Sequence, residues 1–390
     1  MNQNPLKRKI GIIGGGQLGR MMIEESLRLN IEFNVLDADP NCSCALVANK
    51  FIEGKLTDAN KINELAALSD VLTYEIEHVN TLALLELEAK GKEIIPSPKI
   101  LQIIQDKGLQ KQFYQKNHIP TLPFVLVERK EDWLDAIKKL GTEKIAAKTR
   151  KGGYDGKGVC ILKSDDVIKN TDLIPFDEPC VLESFLPCEK ELAVIVARDR
   201  QGNTISFPSI EMVFDPEANL VTLLVSPASV GSTIEQKAEQ IAIDAINVFN
   251  GVGLFAVEMF LSSSGEIYVN EIAPRPHNSG HQTIEGCVTS QYEQLVRIIT
   301  GLPLGSTNLI KKYAAMVNLL GNKEFSGNYL LDGIEDVMKL DNVYVHLYDK
   351  KENKPMRKMG HATILSDSYD ELLQKASFIS SKLRFIEDKN

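Results

Sequence analysis

Among six cysteines, at positions 42, 44, 160, 180, 188 and 287, there is one Cys-x-Cys pair and no paired CxxC spacing. That excludes the usual thiolate zinc site and points to reduced, mostly buried thiols. Positive charge is also short. Lys plus Arg number 44 against 53 Asp plus Glu, a net charge of −9, so any polyanion-binding surface has to be local and nucleic acid is not the leading partner. After the polar, basic start Met1 to Lys9, the apolar stretch is broken by Gly14, Gly15 and Gly16 before it could act as a signal peptide or span a bilayer. The expected location is the cytoplasm, with no membrane partner. There is no internal repeat, no low-complexity tract and no G-x-x-x-x-G-K-[ST] loop.

What the chain does have is the composition of a globular protein, 43% hydrophobic and 25% charged over 390 residues. That length implies two or three domains.

The order from Lys9 onward predicts a strand (Ile10 to Ile13), a glycine turn, a helix (Gln17 to Leu29) and a strand from Phe33 to Leu36 ending in Asp37. Strand, helix and strand at this spacing form a parallel βαβ unit. A helix at Asp58 to Leu68, a strand at Val71 to Tyr74, a helix at Thr81 to Lys90 and a strand at Glu93 to Ile95 extend it into a doubly wound α/β domain. Pro96 and Pro98 interrupt regular structure, so the first boundary is placed at residue 98. Next come a helix at Lys99 to Asn117, strands at 124–127, 145–148 and 159–162, and further strands at Cys180 to Phe185, Leu192 to Arg198 and Thr204 to Phe207. The long helix Thr233 to Asn250 carries a core stripe through Ile234, Ala238, Ile241, Ala242, Ala245 and Val248. This mixed region, 99–303 with a smaller lobe at about 120–185, reads as α+β. Residues 304–390 form a small C-terminal domain with strands at Ala315 to Leu320 and Val343 to Leu347 and a helix at Tyr369 to Leu383.

Gly14-Gly15-Gly16-Gln17-Leu18-Gly19 satisfies G-x-G-x-x-G between a strand and a helix, with Asp37 eighteen residues beyond. The chemistry offered is phosphate binding at a helix N-terminus rather than nicotinamide binding specifically; a purely structural turn is the alternative. Lys151 to Gly158 packs four glycines and two lysines into eight residues. A hairpin of that kind closes over a polyphosphate, with Lys148 on the preceding strand placed to join it; the alternative is a mobile surface hairpin. In Gly253 to Glu271, two apolar strands flank a Ser-Ser-Gly turn. Centring the hairpin between Ser264 and Gly265 pairs Glu258 with Glu271. Such carboxylates, with β-carbons ~5 Å apart, repel unless a cation intervenes, and Mg2+ with nucleotide phosphates is the natural occupant; the alternative is an exposed acidic hairpin or a register off by one. The run Arg275-Pro-His277-Asn278-Ser-Gly-His281 is suited to gripping a polar ligand; a solvated loop is the alternative. By itself the basic cluster Lys350, Lys351, Lys354, Arg357 and Lys358 reads as a solvated turn, and His118 and His346 as ordinary surface or satisfied histidines.

Taken together, a glycine cradle, a strand-end lysine and paired carboxylates describe ATP–magnesium handling by a closing loop. Gly16-Gln-Leu-Gly-Arg20, Thr73-Tyr-Glu75, Gly152-Gly-Tyr-Asp-Gly156, Asn270-Glu-Ile-Ala-Pro-Arg275, His277-Asn-Ser-Gly-His281 and Arg357-Lys-Met-Gly-His361 resemble the ATP-grasp superfamily. Within it they resemble the ATP-dependent 5-(carboxyamino)imidazole ribonucleotide synthases of purine biosynthesis, over nearly the whole chain.

The resemblance implies a three-domain ATP-grasp architecture with an N-terminal Rossmann-like domain, commonly a homodimer. It implies that Lys107 and Lys148 bind ATP phosphates, that Gly152, Gly153, Gly156 and Gly158 belong to the covering loop, and that Glu183, Ser184, Phe185 and Leu186 run along the adenine. Glu191 would bind the ribose; Glu258 and Glu271 would hold Mg2+ beside Asn270. Aminoimidazole ribonucleotide would contact Gln17, Leu18, Glu75, Tyr154, Asp155, Lys157, Arg275, His277 and Asn278, and its phosphate Lys350, Arg357 and Lys358, which reverses the bland reading of that cluster. Tyr154 and Asp155 resemble the family's proton-handling pair. The substrates implied are ATP, bicarbonate and 5-aminoimidazole ribonucleotide. One departure is that many relatives carry an ATP-site histidine a few residues after the strand matching Thr204 to Phe207, where this chain has Glu211-Met-Val-Phe214. The alternatives are a formate-dependent glycinamide ribonucleotide transformylase or another carboxylate–amine ligase, an NAD-dependent oxidoreductase resting on Gly14, Gly16, Gly19 and Asp37, and a non-catalytic nucleotide sensor.

Overall fold

A computed structural model describes residues 4–153, 158–215 and 220–389. The chain opens with β1 (Lys9–Ile13), α1 (Gln17–Ser26), β2 (Glu32–Asp37), β3 (Lys50–Glu53), α2 (Ala59–Leu68), β4 (Val71–Tyr74), α3 (Thr81–Ala89) and β5 (Glu93–Ile94). These strands form a parallel sheet in the order β3-β2-β1-β4-β5. Helices cover both faces, which is why β1 and β4 read as continuous apolar runs. Strand β3 was not expected from the sequence, because Lys-Phe-Ile-Glu is short and polar at both ends. The strand order reverses between β1 and β4, the topological switch point at whose carboxyl edge such sheets bind ligands.

The single helix expected over Lys99 to Asn117 is two, α4 (Pro98–Ile104) and α5 (Lys107–Lys116). Asp106 divides them: its carboxylate caps α5 by accepting from the Gly108 and Leu109 amides at 2.9 and 3.2 Å. The break places Lys107 at the first position of a helix whose start faces the site.

Then come β6 (Phe124–Val127), α6 (Trp133–Leu140), β7 (Lys144–Thr149), β8 (Val159–Lys163), α7 (Ser164–Lys169) and β9 (Cys180–Ser184). Among the described residues these strands make a four-stranded antiparallel sheet, β6-β9-β7-β8. Trp133 and Ile137 of α6 pack against Ile145, Ala147 and Leu182 to close its core.

The main sheet is built from β10 (Lys190–Arg198), β11 (Thr204–Ser206), β12 (Ile210–Asp215), β13 (Leu220–Ser226), β14 (Gly253–Leu261) and β15 (Ile267–Ala273), with α8 (Ser232–Phe249) lying across it. The stripe of α8 turns slightly from the one expected. Ala238, Ala242, Ala245, Ile246 and Phe249 are buried, whereas Val248 is 43% exposed. The reason is that 242, 246 and 249 stay on one face at 3.6 residues per turn and 248 rotates off it.

After α9 (Thr283–Gly286) and α10 (Gln291–Thr300) come β16 (Tyr313–Leu320), β17 (Tyr329–Asp332), α11 (Ile334–Val337), β18 (Val343–Leu347), β19 (Lys358–Ser366), α12 (Tyr369–Lys382) and β20 (Arg384–Glu387). The C-terminal strands extend the main sheet in the order β15-β14-β10-β12-β13-β16-β19-β18, with β11 on β10. Backbone pairing therefore runs continuously across residue 303, through β13 and β16, and brings the basic turn before β19 over the switch point.

Candidate active site

At the switch point, Gly14 takes a φ of +98° and the loop amides point at carboxylates of the chain itself. Gly15 N–H donates to Asp37 Oδ2 at 2.7 Å, and Gly16 and Gly19 N–H donate to Glu75 Oε1 and Oε2 at 3.0 and 3.3 Å. A Cβ on Gly16 would stand 2.8 Å from Glu75 Oε1, so glycine is what admits this carboxylate. The expectation that these amides cradle a phosphate is corrected: Glu75, 8% exposed, fills the anion position at the α1 N-terminus. Burial raises its carboxyl above the usual range, against the lowering effect of the Gly16 amide and Arg275. Gln17 Oε1 accepts from Lys350 Nζ at 3.1 Å, which joins the glycine loop to the C-terminal basic turn. Burial, then the neighbouring Arg357 charge, lowers the Lys350 pKa. This is the signature of a cation cluster that an anion would relieve.

On the other side of the cavity, three lysines surround carboxylates. Glu183 is 1% exposed, and its oxygens lie 3.0 Å from Lys111 Nζ and 3.0 Å from Lys148 Nζ. Burial pushes its carboxyl up, but the two ammonium groups prevail and hold it at about 2. The side chain of Glu183 therefore positions lysines, and Ser184, Phe185 and Leu186 continue the cavity wall beyond it. Lys148 Nζ also donates to Asn270 Oδ1 at 2.8 Å. Lys107 Nζ is paired with Glu271. Lys111, 2% exposed, was missed by the sequence reading, although its spacing four residues after Lys107 puts both on one helical face.

The β14–β15 hairpin places Glu258 opposite Glu271, as expected, by a different route. Near the turn the pairs are Leu261 with Ile267, Phe260 with Tyr268 and Met259 with Val269, one residue off the expected centring; the register shifts between Glu258 and Met259. Asn270 is the extra residue of a β-bulge. It lets Val269 and Ile272 stay buried while Asn270 and Glu271 both face the cavity.

Burial raises the Glu258 carboxyl, and the charges of Glu271 and Glu191 raise it further. Lys107 holds Glu271 low against burial. Burial also raises Glu191, to about 7; no hydrogen bond or ion pair engages it among the described residues. Two facing, buried carboxylates, one of them raised by burial and by its neighbour's charge, fit a hard divalent cation. Among the described residues no group of three or more His, Cys, Asp or Glu side chains could hold a metal, so an ion here would need oxygen ligands from a bound phosphate.

The next segment ties the two halves together. Arg275 pairs with Glu77 at 3.2 Å. His277 Nδ1 lies 2.9 Å from Ser279 Oγ and 3.6 Å from Glu258 Oε1. The rings of His281 and His361, from two separate motifs, pack at 4.9 Å. His346, read as an ordinary histidine, stacks on His361 at 4.4 Å and bonds Glu285 at 2.6 Å; it is a satisfied histidine.

Most of these residues line one cavity of about 1700 Å³; Lys111, Glu285, His346 and His361 stand outside its lining. Its walls include Gln17, Leu18, Glu75, Lys107, Lys148, Gly152, Gly153, Glu183 to Leu186, Glu191, Glu258, Asn270, Glu271, Arg275, His277, Asn278, Lys350, Arg357 and Lys358. Gly158, at φ +75° and close to Thr149, is not among the lining residues. Tyr154, Asp155, Gly156 and Lys157 lie outside the described residues. Met212 and Phe214 also line the cavity, so the segment that lacks the relatives' histidine presents apolar side chains.

The sequence and fold were compared with known proteins. Residues 112–292 match the ATP-grasp domain, 7–105 the ribonucleotide synthetase preATP-grasp domain, and 314–375 the phosphoribosylaminoimidazole carboxylase C-terminal domain. The N5-carboxyaminoimidazole ribonucleotide synthase of Bacillus subtilis is 38% identical, over 94% of this chain and 93% of that protein. This chain belongs to the N5-carboxyaminoimidazole ribonucleotide synthase family. The crystal structure of the synthetase from Thermotoga maritima superposes with a TM-score of 0.88 at 41% identity, covering 98% of this chain and 100% of that one. The Aspergillus clavatus synthase in complex with ADP and 5-aminoimidazole ribonucleotide gives 0.86 at 32% identity, over 97% and 99%. The phosphoribosylaminoimidazole carboxylase of Ogataea methanolica is 39% identical over 95% of this chain; the chain spans about two thirds of such fungal relatives, 68% and 66% in two cases. The ATP-grasp fold with a preceding α/β domain is thus the family's fold. Among the described residues no helix is long and apolar enough to cross a membrane.

Proposed function

We propose that this chain carboxylates the exocyclic amine of 5-aminoimidazole ribonucleotide, using ATP and bicarbonate, in de novo purine biosynthesis. The observation that carries the reading is that one cavity is lined both by Lys107, Lys148, Glu258 and Glu271 and by Gln17, Lys350, Arg357 and Lys358. The first set suits a triphosphate and the second a ribonucleotide phosphate, and Arg275, His277 and Asn278 share the same walls. Under this reading bicarbonate oxygen attacks the γ-phosphorus, ADP leaves, and the resulting carboxyphosphate passes its carboxyl group to the amine, directly or as CO2, releasing phosphate.

Lys148, fixed by Glu183 and Asn270, and Lys107 offset the charge of the transferring phosphoryl group. Glu191 takes ribose hydroxyl donors, for which an unpaired carboxylate is suited. Glu258 and Glu271 would hold Mg2+, which when bound supplies charge neutralisation at the phosphates. Carboxyphosphate hydrolyses readily, so the loop bearing Gly152 and Gly153 has to exclude water. Asp155 and Tyr154 handle the amine proton by resemblance alone. Residues 99–303 serve ATP and also lend Arg275, His277 and Asn278 to the ribonucleotide, which residues 1–98 and the C-terminal basic turn otherwise hold. The same resemblance supports a cytoplasmic homodimer.

The oxidoreductase alternative loses its main support because the loop amides already bond Glu75 and Asp37. The test is ADP formation with aminoimidazole ribonucleotide and bicarbonate each omitted in turn. The reading expects ADP formation to depend on the ribonucleotide; turnover that requires formate instead of bicarbonate selects the transformylase.

A further inference from the structure

Asn318 lies outside every motif in the sequence, on a strand whose other side chains are apolar, and it is 6% exposed. Its neighbours Val317 and Leu319 face the C-terminal core, so alternation along β16 directs Asn318 to the opposite face, under the Arg275–His281 segment. There it makes three hydrogen bonds. Its Nδ2 donates to Val221 O at 2.8 Å and to Asn278 Oδ1 at 2.9 Å, and its Oδ1 accepts from Asn278 Nδ2 at 3.0 Å. A buried amide in an apolar strand is costly unless satisfied, and satisfying this one fixes the Asn278 side chain on both of its polar atoms. Register strengthens the arrangement: Asn318 pairs with His361 across β16 and β19, and the His361 ring packs on His281. The segment holding Asn278 therefore rests on a C-terminal platform at both Asn278 and His281.

We propose that Asn318 is a positioning residue for the ribonucleotide: it acts through Asn278, holding that side chain's amide in the orientation in which it meets substrate. The proposal rests on the reading of Asn278 as a substrate contact.

The test is a double-mutant cycle on the full chain with Asn278→Ala, Asn318→Ala and both together, reading KM for aminoimidazole ribonucleotide, KM for ATP, and kcat. Losing a fixed amide contact should raise KM for the ribonucleotide about tenfold. KM for ATP should stay within about twofold, and the double variant should be no worse than Asn278→Ala alone. Effects that multiply, equal rises in both KM values, or a silent Asn318→Ala beside an impaired Asn278→Ala overturn the proposal while leaving the site assignment standing. A silent Asn278→Ala overturns the assignment itself and the proposal with it. Should Asn318→Ala fail to fold, Asn318→Ser replaces it with the same expected split, since its hydroxyl keeps a polar group at the position but ends one atom short of the contacts the Asn318 amide makes.

Discussion

Glu258 faces Glu271 across the β14–β15 hairpin, and the pairing exists because Asn270 bulges out of the ladder between them. The bulge has two results. It turns consecutive polar residues to the cavity, and it gives Lys148 the side-chain oxygen Asn270 Oδ1 to bond at 2.8 Å. Burial, then the charge of Glu271, raises Glu258, while Lys107 holds Glu271 low.

Glu271→Gln should lower kcat/KM by about 10²–10³-fold with the fold retained. Steady-state ADP release and circular dichroism check both halves. Near-normal activity would remove Glu271 from the metal assignment.

Glu191 predicts a pH-dependent stability difference. Burial raises its folded pKa to about 7 from the ordinary 4.5. The folded state therefore binds its proton more tightly than the unfolded chain, and that contribution is present in full below pH 4.5 and lost as pH rises through 7. Glu191→Gln escapes the loss. Without ligand it should be more stable than the parent by about 1–3 kcal/mol at pH 8 and by little at pH 4, read from thermal unfolding at the two pH values. Its KM for ATP should rise. Equal stability differences at both pH values would contradict the burial account.

Glu75→Ala strips the acceptor from the Gly16 and Gly19 amides and should cost about 1–3 kcal/mol. Opening the α1 N-terminus should also make the variant's melting temperature rise more steeply with inorganic phosphate than the parent's. Thermal scans across a phosphate series test this; parallel slopes would mean the helix terminus is not an anion site once Glu75 is gone.

Lys350→Ala should raise KM for aminoimidazole ribonucleotide about 10- to 100-fold, the range for a charge-assisted contact, and leave KM for ATP within about twofold. A rise confined to ATP would move the ribonucleotide phosphate away from the basic turn.

Much of this was legible before any coordinates. The βαβ opening announced itself through Ile10 to Ile13, the glycine turn and Asp37, because a doubly covered parallel strand needs an unbroken apolar run. The Glu258–Glu271 pair could be read from a Ser-Ser-Gly turn, although the centring used for it was off by one residue and the bulge compensated. The adjacent polar pair Asn270-Glu271 between Val269 and Ile272 breaks the period-2 alternation and is the local mark of the bulge. The break between α4 and α5 was written in Asp106, a helix-capping residue just before Lys107, and was passed over. What could not be read was long-range pairing. Glu75 on the glycine-loop amides, Lys111 beside Glu183, and Asn318 beneath Asn278 join residues 56, 72 and 40 positions apart, contacts that tertiary packing alone decides. The basic turn looked like a solvated face because its partner, Gln17, lies 333 residues away.

The central claim is that bicarbonate is activated on ATP before it reaches the amine, and it is tested most directly with ¹⁸O-labelled bicarbonate. Attack by a bicarbonate oxygen on the γ-phosphorus, followed by cleavage of the carbon–oxygen bond, transfers one label into inorganic phosphate. The account predicts singly labelled phosphate formed in step with ADP and dependent on aminoimidazole ribonucleotide; phosphate whose new oxygen comes from water throughout would contradict it.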